Sequence, residues 1–84
     1  MNTNRPKTLR RAMIFHLLLD DTQDHGFVVA HTREHIAKRA GMTEIVDYEL
    51  TSLIGQDLIT ASGPIEDPET RYSLHPSVQW KVVP

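Results

Sequence analysis

The feature that most constrains this 84-residue chain is a pair of short helical patterns in its centre, within residues 32–59. Thr32 and Thr43 carry side-chain oxygens suited to cap a helix start, and Gly41 can adopt the left-handed backbone that ends a helix. The apolar residues at helical spacing are Ile36, Ala37 and Ala40 in the first pattern and Val46, Leu50, Leu53, Ile54 and Leu58 in the second. Two helices this short cannot bury both apolar faces, so the flanking segments must complete the core.

The flanks supply one further helix and three short strands. The predicted elements are a helix over 7–20, a polar loop over 20–26, and strands over 27–30, 58–61 and 71–74. The apolar arc of the first helix comprises Leu9, Ala12, Met13, His16 and Leu17, widened by Ile14, Phe15 and Leu18. The last two strands form a hairpin across a turn-rich loop, and the first strand can add to its edge. The fold class is therefore α+β.

Composition limits the chemistry available to the chain. It contains no cysteine, so disulfides, thiolate metal sites and cysteine nucleophiles are excluded. The formal net charge is −2, and 39% of the residues are hydrophobic, which is ordinary for a globular domain. We expect a cytoplasmic protein with no membrane-spanning segment. No arrangement of nucleophile, base and orienting group is recognisable, so we expect neither an enzyme nor a cofactor.

Charged residues are unevenly distributed along the chain. Basic residues occupy the start of the chain and the first central helix, namely Arg5, Lys7, Arg10, Arg11, Arg33, Lys38 and Arg39. Acidic residues occupy the second central helix and the later loop, namely Glu44, Asp47, Glu49, Asp57, Glu66, Asp67 and Glu69. The pattern predicts a molecule with a basic side and an acidic side.

The order of elements resembles that of the winged helix-turn-helix superfamily of DNA-binding domains. The residues that carry the resemblance are Ile36, Ala37, Gly41, Val46, Leu50, Leu53 and the QDLI sequence that ends at Ile59. The resemblance implies a three-helix core with a small antiparallel β-hairpin wing over residues 7–76. A flexible arm (1–6) would precede this domain and a tail (77–84) would follow it.

The resemblance also implies a transcriptional regulator that binds double-stranded DNA. The second central helix would enter the major groove, and basic residues around it would contact phosphates. The candidate DNA-binding residues are Arg5, Lys7, Arg33, Lys38, Arg39, Thr43, Tyr48, Thr51, Ser52 and Arg71. A domain of this size buries little DNA surface, so a homodimer that reads two half-sites is expected. The wide arc of the first helix and the tail with Trp80 are the candidate dimer surfaces.

The acidic composition of that same helix favours an alternative function. Its carboxylates would repel DNA phosphates, since non-specific affinity comes from lysine and arginine. The alternative is an adaptor or inhibitor that binds a basic protein surface through Glu44, Asp47 and Glu49. A negative patch centred on these three residues would favour this alternative over DNA binding.

Several histidines and aspartates are weaker candidates. His31, Glu34 and His35 match the H-x-x-E-H pattern of one class of zinc peptidases. However, His31 precedes the cap of its helix, so chance is the better explanation and no metal site is expected. His16 is expected to be a half-buried core histidine.

Overall fold

A computed structural model describes residues 5–42 and 47–79, with side chains described from residue 9 onward within those ranges. The elements are α1 (Arg5–His25), β1 (His31–Thr32), α2 (Arg33–Arg39), α3 (Asp47–Gly55), β2 (Ile59–Ala61), β3 (Arg71–Leu74) and α4 (Pro76–Gln79). This arrangement of helices with a small antiparallel sheet confirms the α+β class. No helix in the described part of the chain is both long and apolar enough to cross a bilayer.

Helix α1 is longer than its sequence predicted. It begins at Arg5 and continues to His25, through the stretch that we expected to be a loop. Gly26, at φ +75°, ends the helix. The prediction of a loop was wrong because Asp21 and Thr22 are buried, and their polar groups bond to the rest of the domain. Tertiary contacts therefore outweigh local composition here.

The sequence correctly predicted both the cap that starts the first central helix and the glycine that follows its end. The Thr32 side chain accepts a hydrogen bond from the backbone N–H of His35 at 3.3 Å, which makes Thr32 the N-cap of α2. Gly41 has φ +70°, and the N–H of Met42 donates to the carbonyl of Ala37 at 2.8 Å. The second predicted cap, Thr43, lies outside the described residues.

The three strands form one antiparallel sheet in the order β1–β3–β2. His31 pairs with Tyr72, and Ile59 pairs with Leu74 across the hairpin of β2 and β3. The hairpin and the added edge strand agree with the sequence prediction. The residues of the edge strand do not, because residues 27–30 form no strand and only His31–Thr32 pairs with β3. The Val29 N–H is directed instead toward the Thr22 hydroxyl, at 3.4 Å.

The hydrophobic core lies between the helices and one face of the sheet. Its buried members are Ile14, Leu18, Ile36, Leu50, Leu53, Ile59, Tyr72 and Leu74. Helix α1 buries the Ile14 and Leu18 side of its apolar arc. The other side faces solvent, with Leu9 60% exposed and Met13 41% exposed. His16 is also exposed, so its predicted place in the core was wrong.

The short helix α4 follows β3 directly. Pro76 occupies its first position, where a missing N–H costs least. The His75 N–H donates to the Leu58 carbonyl at 3.0 Å, and the Ser77 hydroxyl donates to the Asp57 carbonyl at 3.0 Å. These contacts attach α4 to the turn between α3 and β2. Trp80 lies outside the described residues.

Asp21 joins α1 to α2 and β1. Its carboxylate accepts two hydrogen bonds from the Arg39 guanidinium, at 2.9 and 3.1 Å, and lies 2.9 Å from His31 Nε2. The hydrogen bond from Arg39 lowers the pKa of Asp21 from 3.8 to about 2, against the opposing effect of burial. Asp21 therefore favours folding in its ionised form.

Glu49 joins α3 to α1. It is 3% exposed, and its Oε1 lies 3.1 Å from Arg10 Nε. The N–H is not aligned for a hydrogen bond, and Oε2 has no hydrogen-bond partner among the described residues. The contact is therefore an ion pair with poor hydrogen-bond geometry. A buried carboxylate of this kind is tolerated only while a cation stays beside it.

The first prediction concerns Asp21 and acid stability. A depressed folded-state pKa stabilises the protein above pH about 4, and the contribution is lost as pH falls toward 2. We expect Asp21→Asn to lower the free energy of unfolding by roughly 1–2 kcal/mol at pH 7, after allowance for screening. Urea unfolding between pH 5 and pH 2.5 should show this difference shrinking. Asp20→Asn, at an exposed neighbour, is the control, and a difference independent of pH would contradict the role of the ionised group.

The second prediction concerns the buried ion pair. We expect Arg10→Met to destabilise the domain by roughly 3–5 kcal/mol, because Glu49 would remain buried without its cation. The double variant Arg10→Met, Glu49→Leu should recover most of that loss, since both charges are then absent. Urea unfolding measures both effects, and Lys38→Met is the control on an exposed side chain. Equal stability of the single and double variants would count against the buried pair.

Candidate functional site

The outward face of α3 carries uncharged side chains. Tyr48, Thr51 and Gly55 are exposed, and they follow one another at spacings of three and four residues. Leu50 and Leu53 lie on the opposite side and are buried. Tyr48 is 59% exposed. Tyr48 and Thr51 therefore offer hydroxyl groups that can donate or accept hydrogen bonds.

The two described carboxylates of α3 are each paired with an arginine of another helix. Glu49 is buried beside Arg10, and Asp47 accepts from Arg33 Nη1, which lies 3.0 Å from each of its carboxylate oxygens. The sequence predicted a negative surface patch formed by Glu44, Asp47 and Glu49, and the structure does not place Glu49 in such a patch. Glu49 is not on the surface, Asp47 is neutralised by an arginine, and Glu44 lies outside the described residues.

Arg33 links three elements around this face. The same Nη1 that holds Asp47 also donates to the carbonyl of Ile65, at 3.1 Å, in the loop between β2 and β3. Arg33 is the first residue of α2, and Asp47 is the first residue of α3. One guanidinium thus fixes the loop relative to the starts of both helices. This position gives Arg33 a structural contact, in addition to the phosphate contact predicted from sequence.

The other predicted cations differ in their availability. Arg39 is bound to Asp21, although 46% of its side chain stays exposed. Lys38 on α2 is exposed, and Arg71 at the base of the loop is exposed while donating a long bond of 3.4 Å to the Ala30 carbonyl. The backbones of Arg5 and Lys7 lie in the first turns of α1, but their side chains lie outside the described part.

Ser52 is less available than Thr51. Its hydroxyl accepts from Arg11 Nη1 at 2.8 Å and from Gln56 Nε2 at 3.2 Å, and the residue is only partly exposed. Of the predicted base-contacting residues that the structure describes, Tyr48 and Thr51 face outward, and Ser52 belongs to the contact between α1 and α3.

The loop over residues 62–70 is compact and acidic. The Thr70 hydroxyl donates to the Pro64 carbonyl at 2.6 Å, and Asp67 accepts from the Glu69 backbone N–H at 2.9 Å. Thr70 is buried, so the loop is anchored from within. Glu66, Asp67 and Glu69 are all exposed, which makes the outer edge of the loop negative.

The histidine motif brings two imidazole rings together beside Asp21. The His31 and His35 rings lie 4.4 Å apart, but His31 Nε2 is already beside Asp21. Desolvation lowers the pKa of His35, and the nearby His31 and Arg39 lower it further. No group of three or more metal-ligating side chains occurs within residues 9–42 and 47–79.

The inward position of Glu49 was missed by the sequence interpretation, although a signal was present. Glu49 lies three residues after Val46 and four before Leu53, so it shares their helical stripe. A lone carboxylate on an apolar stripe requires a buried cation. Arg10, on a neighbouring apolar helix, was among the basic residues noted at the start of the chain.

Comparison of the chain with protein-family models, curated proteins and solved structures finds no match.

Proposed function

We propose that the chain is a small winged-helix DNA-binding protein that acts in transcription control, with α3 entering the major groove. The observation that carries the proposal is the outward face of α3, which presents Tyr48 and Thr51, while Glu49 is buried and Asp47 is paired with Arg33. This arrangement reduces the repulsion between this helix and phosphates that its acidic composition implies. Hydroxyl side chains can contact base edges in the major groove.

The order of the elements and of the strands also supports a winged-helix arrangement. Three helices precede the hairpin, and the edge strand β1 joins β3 rather than β2. The loop over 62–70 would then be the wing, held beside α3 by Arg33. Lys38 and Arg71, which are both exposed, would contact phosphates.

The third prediction concerns DNA affinity and its dependence on salt. We expect selection from duplexes with a randomised core to enrich one sequence. The described cations that contact α3 are bound to its own side chains, namely Arg10, Arg11 and Arg33. The slope of log K against log salt should therefore be shallow, about −2 to −4 for two to four phosphate contacts. Fluorescence anisotropy of the selected duplex measures its affinity for the protein and the dependence of that affinity on salt. No enrichment, together with no binding at 50 mM salt, would refute the proposal.

Variants distinguish base contacts from phosphate contacts. Tyr48→Ala or Thr51→Ala should reduce the preference for the selected duplex over a scrambled one by about 5- to 150-fold, because each removes a base contact. Lys38→Ala should weaken binding to both duplexes and make the salt slope less negative by about 1. Gln23→Ala, at an exposed position of α1, is the control. An unchanged preference in both α3 variants would show that α3 does not read the sequence.

A second candidate function is binding to a basic protein surface. The observation that favours it is the exposed acidic edge of the loop, formed by Glu66, Asp67 and Glu69. Binding would then involve the loop, not Glu49. Retention of the protein on an immobilised lysine- and arginine-rich peptide, lost when the three loop residues become Gln or Asn, would support this candidate.

A further inference from the structure

The exposed side of α1 carries an apolar strip that the domain itself does not cover. Leu9 and Met13 are 60% and 41% exposed, and Ala12 and His16 beside them are also exposed. These four residues recur at spacings of three, one and three, so they share one face of the helix. Ile14 and Leu18, which anchor α1 to the core, lie on the opposite face.

A groove runs directly beside this strip. It lies between α1 and the end of α3, has a volume of about 220 Å³, and is open to solvent. Its lining comprises Arg11, Ala12, Phe15, His16, Leu53, Gln56 and Leu58. Ala12 and His16 belong to both the strip and the groove. The surface therefore places a projecting apolar ridge, Leu9 and Met13, next to a groove that is lined by apolar residues together with Arg11, His16 and Gln56.

We propose that this surface pairs with the same surface of a second copy, through antiparallel contact of the two α1 helices. A two-fold interface requires each copy to provide both the projection and the recess that receives it. The ridge and the groove lie side by side, so one two-fold axis satisfies both requirements. The inference rests on α1 alone and does not depend on DNA binding.

The distribution of charge along α1 selects the antiparallel register. Position 5 is arginine and position 20 is aspartate, and both fall on the face that contains Leu9 and Met13. An antiparallel pair centred between positions 12 and 13 sets position 5 opposite position 20 of the second copy. It also sets Leu9 opposite His16. It sets Met13 opposite Ala12, so that a large side chain meets a small one there. A parallel pair would instead place like charges together.

Analytical ultracentrifugation of the full chain tests the pairing. One helix face is a small interface, so we expect a dissociation constant of about 10–100 µM. Met13→Glu should raise it about 100-fold or more, since the symmetric interface buries the new carboxylate twice. Phe27→Glu, at another exposed apolar side chain that lies outside the strip, is the matched control. A protein that stays monomeric at about 1 mM, or a Met13→Glu variant that still dimerises normally, would overturn the proposal.

Charge exchange and cross-linking test the register. Arg5→Glu or Asp20→Arg alone should weaken dimerisation about 3- to 10-fold, and the double variant should restore it. The chain has no cysteine, so single-cysteine variants report position cleanly. Ala12→Cys lies near the proposed axis and should form a disulfide-linked dimer under mild oxidation, whereas Gln23→Cys should not. No rescue in the double variant, or equal cross-linking at the two positions, would refute the antiparallel register.

Discussion

The contact on which the rest of the structure depends is the ion pair between Arg10 and Glu49. Glu49 lies in the apolar stripe of α3, where an ionised carboxylate is tolerated only beside a cation. Arg10 therefore allows Glu49 to be buried on the same side of α3 as Leu50 and Leu53. Once that side is fixed, Tyr48 and Thr51 must face outward, because the helical period places them away from Leu50 and Leu53. The outward position of Tyr48 and Thr51 thus accompanies the burial of Leu50, Leu53 and Glu49.

Two further arginine contacts complete the same pattern. Arg33 holds Asp47 and the loop carbonyl of Ile65, and Arg39 holds Asp21. In each case a basic residue from one element neutralises an acidic residue from another. Many of the basic and acidic residues that the sequence places in separate segments therefore neutralise one another within the fold. On the outside, the described residues include the exposed Tyr48 and Thr51 of α3, cations such as Lys38 and Arg71, the acidic loop edge, and further exposed carboxylates such as Asp20 and Asp57.

The parts of the fold that depend on local chemistry were predictable from sequence, and those that depend on tertiary contacts were not. The cap at Thr32, the left-handed Gly41 and the strand over residues 71–74 each follow from residue type and spacing. The extension of α1 to His25 was missed because burial of Asp21 and Thr22 requires partners distant in the chain. For the candidate site, Tyr48 and Thr51 lie on the exposed side of α3, as the helical period predicted. Glu49 was misplaced because its partner lies on another helix.

The central claim is that the outward face of α3 is the surface that contacts the ligand. An NMR titration of ¹⁵N-labelled protein with the selected DNA duplex tests it most directly, because each amide reports its own surroundings. The largest chemical-shift changes should fall on the amides of Tyr48 and Thr51, with smaller changes near Lys38. Shifts confined to the loop over residues 62–70, or to the exposed strip of α1, would contradict it.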